Sequence, residues 1–570
     1  MRRLLVGFLA TVGLIAVLLA AAAGGLGWWI ATRLLGEGDF PDRMVLRLDL
    51  RQAISESPGT PRLNDGRLAA PPTVVDLVLG LERAGRDPRV AGLLVELGDA
   101  RQGFGVAREL REALLRVRAE GRFVVAWADS IGELGAGTEG YYLASAADEL
   151  ALQPVGQLGV TGLVFETPYA RDLLDRLGIE PVVSRRSAYK TALESATERA
   201  PTPAGREMME SLAASLMRTV AGEVAASRRL EPEHLLRLLG AGPYPAEEAV
   251  ALGLADRVAY RDEIEASVLA RAGSGARIVK VDRYLRQPPS ADEEVARIGL
   301  VRAAGPIVRG GDELATTIGA DDLAEALARA IEAPEIRGIL LRLDTPGGSA
   351  VASERVARQI RRAVEAGRPV VVSMANQAAS GGYWIAKDAS RLVAQPTTLT
   401  GSIGVLAGKP VLAGAWERLG VRWDQVAIGE NASLWSVNLP ADERARETLE
   451  RIVDGLYERF KAGVVRGRGL SPDRVEAAAG GRVWTGAQAL ELGLVDRLGG
   501  LPEALDEMRG LLGLPAGTAL RLEPIPEEEP LWRLVTKLLG KSSATLAWMA
   551  KVFGWLAALS DGAAFLSSLR

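Results

Sequence analysis

Apolar positions along this chain fall into short unbroken runs, separated by longer stretches where they recur every three or four residues. The runs Val90–Leu97 (VAGLLVEL), Gly121–Asp129 (GRFVVAWAD), Ile336–Leu343 (IRGILLRL) and Arg368–Met374 (RPVVVSM) are rich in apolar and β-branched residues. That pattern predicts strands buried on both faces. The stretches Val106–Ala119 and Val351–Glu365 show the period of amphipathic helices about four turns long. Strands alternating with such helices predict stacked βαβ units and mainly parallel sheets.

The pattern reads twice. YYLASAADEL from Tyr141 and LQPVGQLGVTG from Leu152 are matched by YWIAKDASRL from Tyr383 and AQPTTLTGSIGV from Ala394. PAEEAVALGLADRV from Pro245 is matched by TGAQALELGLVDRLGG from Thr485. An offset of roughly 240 residues is a duplicated domain, not a solenoid of short units. The expected organisation is a membrane anchor over 1–36, a first repeat over 37–290, a second over 291–512, and a linker with an amphipathic tail over 513–570. The join falls at RQPPSAD, Arg286–Asp292, which is Pro-rich and polar.

The two ends suggest contact with a membrane. Arg2 and Arg3 precede an apolar run from Leu4 to Ile30 that ends beside Trp28 and Trp29. The run exceeds the ~20 residues that span a bilayer, and the flanking charges predict a cytoplasmic N-terminus. Ala20–Ala22 could mark a cleavage site, but the run continues past it without a polar break, which favours a retained anchor. The expected location is therefore the cytoplasmic (inner) membrane, single-pass, with the body on the outer side. Leu531–Arg570 mixes apolar stripes with Lys537, Lys541, Lys551 and three tryptophans. It reads either as an element lying on a membrane or as helices packed on the body or a neighbouring subunit.

Composition narrows the chemistry. A net charge of −4 over 570 residues offers no electrostatic footprint for nucleic acid. The absence of cysteine excludes disulfides, Fe–S clusters and cysteine zinc sites. The only histidine, His234, cannot build a multi-histidine metal site. A serine nucleophile would have to use His234 or another base, and lysine is the main substitute.

Such a serine stands out in NQAASGGYWIA, Asn376–Ala386. Ser380 sits where a buried strand turns into a helix, beside free N–H groups that stabilise a developing oxyanion. The alternative for an isolated Ser-Gly-Gly is a helix cap followed by turn residues. One helix and one strand earlier, LDTPGGSA (Leu343–Ala350) ends another strand in a Gly-rich turn. A parallel sheet can bring both turns to the same strand-end edge, where ligands of open α/β sheets bind.

LDTPGGSAVASE, VVVSMANQAASGGYWIA and TLTGSIGV, with SRRSAYKTALES in the first copy, resemble the Ser/Lys signal peptide peptidases in their long, membrane-anchored bacterial form. The resemblance covers Phe40 to about Leu512. It implies duplicated Clp protease/crotonase-like α/β domains and a serine endopeptidase that needs no metal or organic cofactor. It implies Ser380 as nucleophile, Lys190 as general base, Ser402 orienting the lysine, and the N–H groups of Gly347 and Gly381 as the oxyanion hole. It also implies a homo-oligomer, a tetramer, that degrades cleaved signal peptides and other apolar peptides beside membrane lipid, with no nucleic-acid partner. The repeat fits a shared site. The first copy has Thr138-Glu139-Gly140 where the second has Ser380-Gly381-Gly382, and lacks the Pro-Gly-Gly. Gln157 is matched to Ser402, and Ala432 of the second copy to Lys190.

Overall fold

The computed structural model describes residues 40–59, 62–64, 67–287, 296–311, 316–440 and 442–526. The expected anchor and the Lys- and Trp-containing tail lie outside the described residues. Among those residues, no helix is long and apolar enough to cross a membrane.

In the first half the chain runs through β1 (Met44–Asp49), β2 (Val90–Leu97), α1 (Phe104–Ala119), β3 (Phe123–Ala128), α2 (Thr138–Ala144) and β4 (Glu149–Leu152). It continues through α3 (Arg171–Leu177), β5 (Glu180–Arg185), the long α4 (Pro203–Arg228), β6 (Arg257–Val258) and β7 (Arg277–Lys280). The second half has β8 (Ala296–Ala304), β9 (Ile336–Thr345), α5 (Ala350–Glu365), β10 (Val370–Ala379), α6 (Gly381–Ala386), β11 (Arg391–Ala394), β12 (Leu399–Gly401) and β13 (Leu406–Val411). It ends with α7 (Ala413–Arg418), β14 (Val483–Thr485), β15 (Arg497–Leu498), α8 (Leu501–Leu511) and β16 (Leu520–Pro524).

The expected α/β class with mainly parallel sheets is what forms. The first sheet has the order β6-β4-β3-β2-β1-β7, all parallel. The second repeats it as β15-β11-β10-β9-β8-β16, also parallel. Beyond that shared order, β10 runs on and pairs its last three residues with β12, whose other neighbour β14 is antiparallel. The strands are buried almost throughout, which is why they read as unbroken apolar runs. Where helices begin, the local chemistry agrees. Ser349 Oγ accepts from the Ala352 N–H at the start of α5, and Thr202 Oγ1 from the Gly205 N–H at the start of α4, with Pro203 in the first turn.

The halves share one core, since Leu93 and Leu110 of the first belong to the same apolar cluster as Leu340, Val371 and Leu505 of the second. One buried ionic cluster crosses that boundary. Arg342 on β9 donates to Glu56 (2.6 and 2.9 Å), to Glu109 on α1 (2.6 and 3.3 Å) and to Ser373 Oγ (2.9 Å). Glu109 also accepts from the Leu501 N–H that opens α8. A buried charge is tolerated only when so fully partnered, so the cluster fixes how the sheets stack. A second bond between the halves is the antiparallel ribbon of β5 and β13, registered from Glu180 opposite Val411 to Arg185 opposite Leu406.

The strand registers correct one match between the copies. Gln157 faces Pro245 and Leu399 faces Thr485, and Pro245 and Thr485 cap equivalent short helices. Gln157 therefore corresponds to Leu399, and the place of Ser402 is taken by Val160, which is fully buried. The same offset follows from counting along the matched motifs, Leu152 with Ala394 and Pro154 with Pro396.

Candidate active site

Ser380 stands between the end of β10 and the start of α6 with φ 54° and ψ −113°. A non-glycine residue at positive φ is strained, and the surroundings must hold it there. Here the Ser380 N–H is bonded to the Gly401 carbonyl on β12. Although Ser380 is the residue before α6, its side chain makes no cap bond to the helix. Its hydroxyl instead accepts from Lys190 Nζ at 2.9 Å, which removes the simple helix-cap reading.

Lys190 comes from the first half of the same chain, just after β5. Its Nζ also donates to Ser402 Oγ at 2.9 Å and to the Ser402 carbonyl at 3.2 Å. The side chain is only 5% exposed, and burial pushes its pKa down to about 8. Among the described residues no carboxylate approaches the amine to reverse that shift. The flanking arginines are not the cause: Arg185 pairs with Glu194 and Glu198, and Arg186 with Asp454. The buried Ser402 is held by its N–H donating to the Arg482 carbonyl. When neutral, the amine can give two N–H bonds to Ser402 and offer its lone pair to the Ser380 hydroxyl. His234 lies exposed in the helix Pro232–Ala241, with no hydrogen bond to Ser380.

The two Gly-rich turns meet as expected. A Cβ on Gly347 would lie 2.7 Å from the Gly381 nitrogen and 2.9 Å from Ser380 Cβ, so only glycine fits there. The Gly347 N–H, expected to be open, donates to Thr345 Oγ1 at 3.1 Å. Among the described residues the next N–H, that of Gly348, has no acceptor. A Cβ on Gly381 would come within 3.0 Å of that nitrogen.

Motif reading missed the residues behind the lysine. Gly481, at φ +77°, packs so tightly that a Cβ would lie 2.6 Å from Lys190 Cβ and 2.7 Å from its backbone. Arg482 is sandwiched between the Tyr189 and Trp484 rings and paired with Glu207. The consecutive glycines in AAAGGRVW were the only signal, and nothing in them names their partner. In the first copy the equivalent site is filled. Glu139, matching Gly381, accepts from the N–H groups of Gln102 (2.5 Å) and Gly103 (2.8 Å). A carboxylate there occupies the donors that a substrate carbonyl would need.

The profile of Peptidase family S49 matches residues 116–273 and 362–514, and the chain belongs to that family: it is a serine protease with an α/β fold of mainly parallel sheets. Among individual relatives, Protease 4 of Haemophilus influenzae is 29% identical over 85% of this chain and 79% of its own length. The chloroplastic serine protease SPPA of Arabidopsis thaliana is 29% identical over 84% of this chain and 70% of its own. Protease 4 of Salmonella typhi is 28% identical over 84% and 80%.

Proposed function

We propose that the protease works through a Ser380/Lys190 dyad assembled from the two halves of one chain. The observation that carries this is the 2.9 Å contact between Lys190 Nζ and Ser380 Oγ inside a site where burial lowers the lysine pKa. Neutral Lys190 takes the Ser380 proton as Oγ attacks the scissile carbonyl. The tetrahedral oxyanion is held by the Gly381 N–H and by the Gly347–Gly348 turn. Of that turn, the Gly348 N–H needs no rearrangement, whereas the Gly347 N–H must leave Thr345. Collapse passes the proton from Lys190 to the leaving amine and leaves an acyl-Ser380 ester. Water, deprotonated by the same lysine, then releases the acid. Ser402 keeps the amine aimed at Ser380.

The substrates in this reading are cleaved signal peptides and other apolar peptides. They are met at the outer face of the cytoplasmic membrane by a body held there through residues 1–36, in an assembly of several subunits. Its support is the apolar N-terminal run and the family to which the chain belongs. A fluorophosphonate probe tests the chemistry. The native protein should be labelled at Ser380, and Ser380→Ala should lose both the label and peptide hydrolysis. A Ser380→Ala protein that still cleaves would sink the dyad.

A further inference from the structure

One short segment of the second half, residues 480–484, backs both Lys190 and Ser402. On one side a Cβ on Gly481 would lie 2.6 Å from Lys190 Cβ, and one on Gly480 3.5 Å from Ser187 Cβ. On the other side the Ser402 N–H donates to the Arg482 carbonyl and the Gly481 N–H to the Ile403 carbonyl, each at 2.8 Å. The Arg482 side chain then reaches back to the first half. Its guanidinium lies 4.7 Å from the centre of the Tyr189 ring and 4.5 Å from that of Trp484, and it gives two N–H groups to the Glu207 carboxylate on α4. Exposure rises from 5% at Lys190 to 12% at the Arg482 side chain and 52% at that of Glu207, so the lysine is the inner layer and the clamp the outer one. The first copy lacks this clamp. Counting back from Pro245 as from Thr485, the place of Arg482 is Gly242, where a Cβ would lie 2.4 Å from the carbonyl of Val160, the counterpart of Ser402. The two segments touch in both copies, but a side chain leaves this position only where there is a lysine to enclose.

We propose that Arg482 is the positioning residue of the base: its carbonyl fixes Ser402, and its side chain, clamped by Tyr189, Trp484 and Glu207, fixes the peptide that carries Lys190 and keeps water from the amine. The inference deepens the dyad reading and rests on it. Arg482 touches no reacting atom, and its charge is cancelled by Glu207. The other charged groups on the elements packed there are also paired, Arg185 with Glu194 and Glu198, and Arg186 with Asp454. The phenols on these elements are those of Tyr189 and Tyr457, and the Tyr457 oxygen accepts from the Gly480 N–H at 3.1 Å. What the clamp supplies is therefore exclusion of water. A lysine stays neutral near physiological pH only while its ammonium form is poorly hydrated.

The test is the pH dependence of kcat/KM of the full-length protein on an apolar peptide. Arg482→Ala combined with Glu207→Ala removes the clamp at unchanged net charge. Its midpoint should move up from about 8 by about one unit, so that activity at pH 7 falls about tenfold, KM stays native and the loss shrinks toward pH 10. Tyr189→Ala should move the midpoint the same way, and it carries the same decision if the double variant does not fold. Arg482→Lys keeps a cation between the two rings and should return the midpoint toward that of the native protein. A clamp that is only structural would lower the rate alike at every pH and leave the midpoint in place. That result, with a native midpoint near 8, overturns the role of Arg482 while the dyad stands. If the native profile is flat, or Lys190→Arg turns over at the native rate, the dyad falls and this inference with it.

Discussion

Replacing Lys190 should move activity and stability in opposite directions. The side chain has an ordinary pKa of 10.5, held at about 8 by burial. At pH 7 the neutral amine is then about a tenth of the population, roughly three hundredfold more than an unburied lysine would supply. The kcat/KM for an apolar peptide should therefore rise about tenfold from pH 7 and level off above pH 9. Lys190→Met and Lys190→Arg should both lose about two to four decades, because methionine has no lone pair and arginine does not give up its proton. Stability follows from the same shift. Between pH 8 and 10.5 the unfolded chain holds a proton that the folded chain has released, so stability rises with pH across that window. Below pH 8 both states carry the proton and the full cost of burying the ammonium is present. The depression from 10.5 to about 8 sets that cost at up to about 3 kcal/mol. Lys190→Met should raise the urea midpoint at pH 7, with the gain shrinking toward pH 10. A flat pH–rate profile, near-native turnover by Lys190→Arg, or a Lys190→Met protein less stable at pH 7 than native would each refute the reasoning.

Two further substitutions probe the surroundings of the dyad. Ser402→Ala removes the 2.9 Å bond that orients Lys190. It should keep measurable activity while losing about one to two decades in kcat, the worth of one hydrogen bond to a charged partner; native rates would remove Ser402 from the mechanism. Gly481→Ala places a Cβ 2.6 Å from Lys190 Cβ in a backbone conformation that disfavours side chains. It should displace the lysine and cut kcat by at least about tenfold, and an unaltered kcat would show that the segment yields without moving the amine.

Much of this molecule was legible in its sequence. Strands buried on both faces must be apolar without interruption, so the runs Val90–Leu97 and Arg368–Met374 announced themselves, and the repeat announced two similar sheets. Ser380, Ser402 and the Pro-Gly-Gly turn sit in contiguous motifs, because each is placed by the short strand–turn–helix segment that contains it. The pairing of Lys190 with Ser380 was legible only through the family resemblance, and nothing in the residues themselves showed what physically joins those segments. Lys190 reaches Ser380 across 190 positions of chain only because the β5–β13 ribbon and the Arg342 cluster lock the halves together. The low pKa of Lys190 comes from burial by residues far away in sequence, Gly481 among them, and not from the neighbouring arginines. The direction of the Gly347 N–H and the place of Val160 likewise depend on which backbone lies opposite. Local order follows from residues close along the chain, but contact between distant segments, and the dielectric it creates around one amine, is decided only when the whole core packs.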